Sequence, residues 1–204
     1  MIVLLLVTTG HPDMVRYAHP NLGRLVQPRH YSSIARTAAE GIPWAADNDA
    51  FKNFDAPAFD RMLDRIAGLA GCRFVCAPDV VEDAAATGVL FDEWEPRIRE
   101  YGLPVALVAQ NGQTEPPWDR FDALFIGGDD AFKLGPDGEH WLREAKARGK
   151  WTHIGRVNTP RRVAYARMLG ADSVDGTQWA RWKSIYLRAG LAMWAAPPQQ
   201  RLAA

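Results

Sequence analysis

The chain has 204 residues, 48% hydrophobic and 24% charged, which is the balance of an ordinary globular domain and excludes a disordered or fibrous chain. Lys plus Arg equals Asp plus Glu at 24 each, so net charge gives no general argument for a nucleic-acid partner. Cys72 and Cys76 are the only cysteines and stand four apart in an apolar run, so they read as buried free thiols of a reducing, cytoplasmic compartment.

The apolar run 2–7 lacks a basic leading region and a small-residue cleavage site and is too short to cross a bilayer. It reads as a buried strand. Residues 11–30, rich in Pro, His and Arg without a sustained period, read as an irregular loop or short helical insertion over one end of the fold. From Ile42 onward short apolar runs alternate with amphipathic stretches, the signature of βα units around a parallel sheet. The strands expected are 42–46, 73–77, 105–109, 123–126, 151–154 and 173–174, unalternated as strands covered on both faces should be. Between them, 58–70, 84–101, 139–148 and 160–169 carry apolar positions three and four apart, as at Phe59, Met62, Leu63 and Ile66. Asn158 and Thr159 before Pro160 form a helix-capping sequence, and Gly149 and Gly170 stand where helices end in a left-handed residue. With an eighth strand around 30–34, the pattern predicts a compact α/β fold, a (β/α)8 barrel of the TIM type, shortened or incomplete, as one domain over 1–204. An open doubly wound sheet is the alternative.

Polar residues gather where these strands end: Asp47 and Asn48, Asp79, Gln110 and Asn111, Gly127 and Gly128, and Asp175 before Gly176. Carboxyl ends of parallel strands are where such folds build active sites. Each residue also has a structural reading. Asp47 and Asp79 would cap the next helix, Gln110 would satisfy loop amides, Gly127 and Gly128 would allow a tight turn, and Asp175 would cap a helix beginning near Gln178. The functional reading gives clustered carboxylates divided roles, one a nucleophile and another a proton carrier, as substitution at a sugar carbon requires.

Taken in order, Ala46-Asp47-Asn48-Asp49-Ala50-Phe51, Pro78-Asp79, Val108-Ala109-Gln110-Asn111-Gly112, Phe125-Ile126-Gly127-Gly128 and the stretch from Gly170 to Asp175-Gly176 resemble the guanine transglycosylases of the queuine tRNA-ribosyltransferase superfamily. The likeness is to their short DNA-directed relatives in deazapurine DNA modification, many encoded by bacteriophages, and covers roughly 42–177. The resemblance implies exchange of guanine in DNA for a free 7-deazaguanine base, preQ0-like or preQ1-like, through a covalent glycosyl-aspartate. Asp175 would be the nucleophile and Asp47 the general acid and base, with Asp49 as alternate because Asn48, Asp49 and Ala50 depart from the family's Asp-Ser-Gly-Gly segment. Asp79 would read the guanine edge, Gln110 and the Gly128 amide would face its O6, and Gly127, Asn48 and Phe51 would complete the substrate site. No cofactor is implied. The family's tRNA enzymes carry a Cys3His zinc site, and with no cysteine after Cys76 this chain is expected to hold no metal and to favour DNA over tRNA.

A basic carboxyl-terminal third includes Arg143, Lys146, Arg148, Lys150, Arg156, Arg161, Arg162, Arg167, Arg181, Lys183 and Arg188, with Trp179 and Trp182 interleaved. Arg156, Arg161, Arg162, Arg181 and Lys183 are the candidates for holding DNA phosphates, while solvated helix faces and core tryptophans are the plainer reading. The stretch 11–30 would be a wedge or clamp for an extruded nucleotide. A homodimer or a partner protein is compatible with the sequence, and a membrane is not expected. The competing readings are a tRNA-guanine transglycosylase, a metal-dependent barrel hydrolase of phosphodiesters or glycosides using the same aspartates, and DNA binding without catalysis.

Overall fold

A computed structural model describes residues 4–8, 19–51, 54–181 and 192. The chain folds as a closed barrel of eight parallel strands paired in sequence order, with the last strand closing onto the first. The strands are β1 Leu4–Thr8, β2 Leu22–Val26, β3 Trp44–Ala46, β4 Cys72–Cys76, β5 Val105–Ala109, β6 Ala123–Ile126, β7 Trp151–Ile154 and β8 Ser173–Asp175. The described helices are α1 Ile34–Ala39, α2 Ala56–Ile66, α3 Ala84–Glu100, α4 Asp130–Lys133, α5 Pro136–Ala147, α6 Pro160–Leu169 and α7 Thr177–Arg181. The barrel predicted from the alternation of apolar runs is therefore the fold, and the open doubly wound sheet is not.

Two buried layers follow from the strand period. Leu4, Leu6, Leu25, Ala45, Phe74, Cys76, Ala106, Val108 and Ala123 fill the barrel interior. Their neighbours one residue along, such as Leu5, Val26, Val75, Val105 and Leu124, face outward and pack with the helices. The helices present matching stripes. Phe59, Met62, Leu63 and Ile66 are the buried face of α2, each contributing on the order of 1.5–3 kcal/mol by leaving water. Helix starts are fixed by side-chain caps, with Asp55 accepting from the Ala58 amide, Asp83 from Ala86 and Thr159 from Arg162. Gly170, at φ 72°, ends α6 in the left-handed conformation expected of it.

The second strand lies where the sequence suggested loop. Residues 22–26 fall inside the stretch read as irregular, and 30–34, proposed as the eighth strand, instead lead into α1. Leu22-Gly23-Arg24-Leu25-Val26 does not look like a strand because of its glycine and arginine. A Cβ at Gly23 would meet the Leu6 side chain at 2.6 Å and the Pro43 carbonyl oxygen at 2.7 Å, so β2 passes its neighbours too closely for any side chain there. The wedge suggested over 11–30 is corrected accordingly for 22–26, which belong to the barrel wall, while 11–18 lie outside the described residues. Among the described residues no helix is long and apolar enough to cross a membrane.

Candidate active site at the carboxyl edge of the barrel

On several strands, the interior residue is followed two positions later by a residue that opens into one pocket. Ala45 is followed by Asp47, Val108 by Gln110, Phe125 by Gly127 and Ser173 by Asp175. Because side chains alternate faces, a strand that packs its interior residue inward must also direct the residue two further on toward the axis, here just beyond the last layer of core. The pocket is a small cavity of about 100 Å³ that opens to solvent. Asp47, Asn48, Asp79, Gln110, Gly127, Gly128 and Asp175 all line it, so the residues singled out by the sequence are brought together.

Asp79 is held on both oxygens: Asn48 donates to Oδ1 at 2.7 Å and Gln110 donates to Oδ2 at 2.6 Å. Burial still raises its carboxyl above the ordinary carboxylate range, against the opposing pull of those two donors and Arg156. Gln110, 2% exposed, accepts from the amides of Glu82 at 2.9 Å and Gly128 at 2.8 Å. Asn48 also donates to the Ala77 carbonyl at 2.7 Å and accepts from the Ala50 amide at 2.7 Å. Asp79 does not cap α3, whose cap is Asp83.

Asp47 accepts from Gln27 at 2.8 Å. Its carboxyl is pushed up to about 7, chiefly by burial and further by Asp175 and Asp79, with the Gln27 bond opposing. A group that protonates near neutrality can both give and take a proton under ordinary conditions. Asp49, its alternate, is drawn away: at φ 60° it forms an ion pair with Arg29 and lies outside the pocket lining.

Asp175 is the last residue of β8, and its carboxylate turns to β7 instead of capping the helix that follows. Oδ1 accepts from the Arg156 amide at 3.1 Å, and Oδ2 lies 3.0 Å from His153 Nε2. Arg156 adopts φ 59°, and its guanidinium sits 3.5 Å from the centre of the Phe51 ring at the mouth, where Phe51 is 61% exposed. Its carbonyl accepts from Arg162, which also forms an ion pair with Asp130.

Six lining residues lie outside the set the sequence pointed to: Cys76, Val81, Val108, Phe125, Lys133 and Gly155. Cys76 faces the pocket as a buried thiol, and burial together with three nearby aspartates pushes its ionisation up, so it stays protonated and a poor nucleophile. Phe125 forms part of the wall. Lys133, the last residue of α4, lines the pocket although it is only 3% exposed. Burial first, and then Arg156, lower the pKa of its amine, with Asp175 and Asp130 opposing. The signal for Lys133 was present but short. Asp129 accepts from the Phe132 amide at 2.7 Å and caps a four-residue helix that swings the lysine back over the strand ends.

The basic residues divide by position. Arg156, Arg161 and Arg162 follow β7 at the carboxyl edge of the barrel, and of the three Arg156 lines the pocket. Lys146, Arg148 and Lys150 lie at the opposite end, before β7 begins, engaged by Asp172, Glu144 and the Phe121 carbonyl. Trp179 is a core side chain, 3% exposed, donating to the Val157 carbonyl. Lys183, Trp182, Arg188 and the side chain of Arg181 lie outside the described residues.

No family model and no curated protein matches the chain. Among solved structures it is similar to the 4-hydroxy-2-oxoglutarate aldolase/2-deydro-3-deoxyphosphogluconate aldolase from TTHB1, at 16% identity and a TM-score of 0.57 over 94% of this chain and 92% of that one. At that identity the likeness establishes the barrel fold. It also corrects the expectation of a DNA-guanine transglycosylase, and with it the tRNA-directed alternative, because the match leads to an aldolase barrel and not to a base-exchange enzyme. The site's own bonding gives the physical reason. The Gly128 amide and the Gln110 amide group, expected to donate to a purine O6, donate instead to Gln110 Oε1 and to Asp79. Among the described residues no group of three or more His, Cys, Asp or Glu could hold a metal ion.

Proposed function

We propose that this protein is a barrel enzyme that makes or cleaves a carbon–carbon bond beside the carbonyl of a small anionic oxo acid, with Lys133 as the amine nucleophile. The observation that carries this reading is that a buried lysine with a lowered pKa shares one small cavity with Asp47, whose carboxyl protonates near 7. A lysine is a nucleophile only as the free amine, and burial beside another cation is what releases it from its proton.

In the cleavage direction, the Lys133 amine attacks the carbonyl carbon and the carbonyl oxygen departs as water, leaving a cationic iminium. The hydroxyl on the departing carbon then gives up its proton, the carbon–carbon bond breaks, and its electron pair moves into the iminium to form a neutral enamine and a free aldehyde. Protonation of the enamine carbon and addition of water release the oxo acid and restore the amine. Asp47 is suited to carry the protons of these steps in both directions. Asp175 sits close enough to Lys133 to favour the cationic iminium over the neutral carbonyl. Arg156 at the mouth offers a guanidinium suited to the substrate's carboxylate.

The reaction in the neighbour's name is of this kind, which supports the reading without assigning any residue. The test is cleavage of 4-hydroxy-2-oxoglutarate, followed by release of an oxo acid, for wild type and Lys133→Met. Turnover that the substitution abolishes in a folded protein supports the reading. Turnover unaffected by the loss of Lys133 overturns it.

A further inference from the structure

Beneath the pocket floor, one polar side chain lies on the barrel axis among apolar neighbours. His153 is 0% exposed, packed 5.2 Å from the Phe74 ring and 4.4 Å from the Phe125 ring. Both of its nitrogens are used: Nδ1 lies 2.8 Å from Ser173 Oγ, and Nε2 lies 3.0 Å from Asp175 Oδ2. Trp151 Nε1 donates to the same Ser173 Oγ at 2.8 Å.

The direction of this chain follows from what each group can do. An indole N–H only donates, so Ser173 Oγ accepts from Trp151 and has one proton of its own left to give. That proton points to Nδ1, which is therefore bare, and the imidazole proton sits on Nε2 and donates to Asp175. The reverse assignment would aim two donors at Ser173 Oγ and leave its hydroxyl proton without an acceptor among the described residues. Ser173 is itself 0% exposed, so solvent does not rescue it.

We propose that His153 is a positioning residue that fixes the Asp175 carboxylate in the pocket, and that Ser173, oriented by Trp151, sets the imidazole tautomer that does so. The other oxygen of Asp175 accepts the Arg156 amide at 3.1 Å, so the relay runs from the sealed barrel interior through Asp175 to the turn that places the Arg156 guanidinium at the mouth. The members are those of a hydrolytic triad, but their order is inverted: the carboxylate faces the pocket and the hydroxyl is sealed away, so Ser173 is no nucleophile. The assignment does not depend on which reaction the pocket performs.

The test is nitrogen NMR of the histidine rings, together with the Asp175 side-chain carboxyl carbon resonance, in wild type, Ser173→Ala, Ser173→Thr and Trp151→Phe. Wild type should show His153 with a bare Nδ1 and a protonated Nε2. Ser173→Ala should change the tautomer population and move the Asp175 carboxyl resonance, Trp151→Phe should do so more weakly, and Ser173→Thr, which keeps the hydroxyl, should restore the wild-type pattern. With a substrate in hand, Ser173→Ala should lower kcat about tenfold with KM little changed. A protonated Nδ1 in wild type overturns the proposal, as does an Asp175 resonance unmoved in both Ser173→Ala and Trp151→Phe. If Ser173→Ala fails to fold, Trp151→Phe and the wild-type tautomer still decide it.

Discussion

Lys133 and Asp47 reach the same cavity from opposite sides of the ring, one from the short helix after β6 and the other from the end of β3. A lysine that is 3% exposed beside several charged groups has a functional consequence and an energetic one. Replacing it by methionine, which keeps the length and apolar body of the chain, should lower turnover at least about a thousandfold. It should also leave the melting temperature unchanged or raised. The sign follows from burial: a lowered amine pKa means the folded state binds its proton less well than the unfolded state, so the buried charge costs stability at neutral pH. Thermal melts and steady-state kinetics on the same preparations check both halves.

Asp47 should leave a signature in stability against pH. Its carboxyl rises from the ordinary 3.8 to about 7 on folding, so between those values the folded state holds a proton that the unfolded state has lost. Stability from this group is therefore present below about pH 4, falls as pH rises to about 7 and is lost above it. The full shift corresponds to at most about 4 kcal/mol, less whatever screening solvent in the pocket provides. Subtracting an Asp47→Asn variant isolates the effect from Asp79, which shifts in the same direction. The difference in unfolding free energy between wild type and variant should decline across that window and be flat on either side. The limb of the activity profile near pH 7 should disappear in the variant.

Gln110 holds three bonds at once, accepting from Glu82 and Gly128 and donating to Asp79. Gln110→Leu removes one partner from each and leaves two amides without their acceptor. At about 1–3 kcal/mol for each orphaned amide, the loss in a urea melt should be roughly 2–6 kcal/mol. Gln110→Glu keeps the acceptors but faces Asp79 with a second carboxylate, so it should be milder at low pH than at high pH.

Gly155 lies on the pocket floor in line with Trp151 and His153, where a Cβ would meet Phe125 ring atoms at 2.7 and 2.8 Å and Asp175 Oδ2 at 3.5 Å. Gly155→Ala should displace Phe125 into the cavity. The expected outcome is a larger loss in kcat/KM than the stability change alone would give, measured against a surface control such as Val89→Ala.

Most of the barrel was legible because a strand covered on both faces reads as an unbroken apolar run, and β5, β6 and β7 occupy the segments so marked. The carboxyl-edge site was legible for the same reason, since Asp47, Gln110 and Asp175 each terminate such a run. What the sequence hid was set by tertiary approach. Gly23 is demanded by the side chain of Leu6 and the backbone of Pro43, contacts that no local pattern encodes. His153 is one residue of the strand run 151–154, and only its meeting with Ser173 and Asp175 on β8 gives it a role. Lys133 ends a helix too short to show a period. The transglycosylase reading drew on the order of polar residues at strand ends, which many barrel sites share. It could not anticipate that Asn48 and Gln110 both donate to Asp79 while Gln110 accepts from the Gly128 amide.

The most direct test of the account is to trap the covalent intermediate. Wild-type protein incubated with a small 2-oxo acid and borohydride should gain the mass of the reduced adduct, and peptide mapping should place it on Lys133, with no adduct in Lys133→Met. Absence of any adduct in folded wild-type protein, or an adduct at another lysine that persists in Lys133→Met, would contradict it.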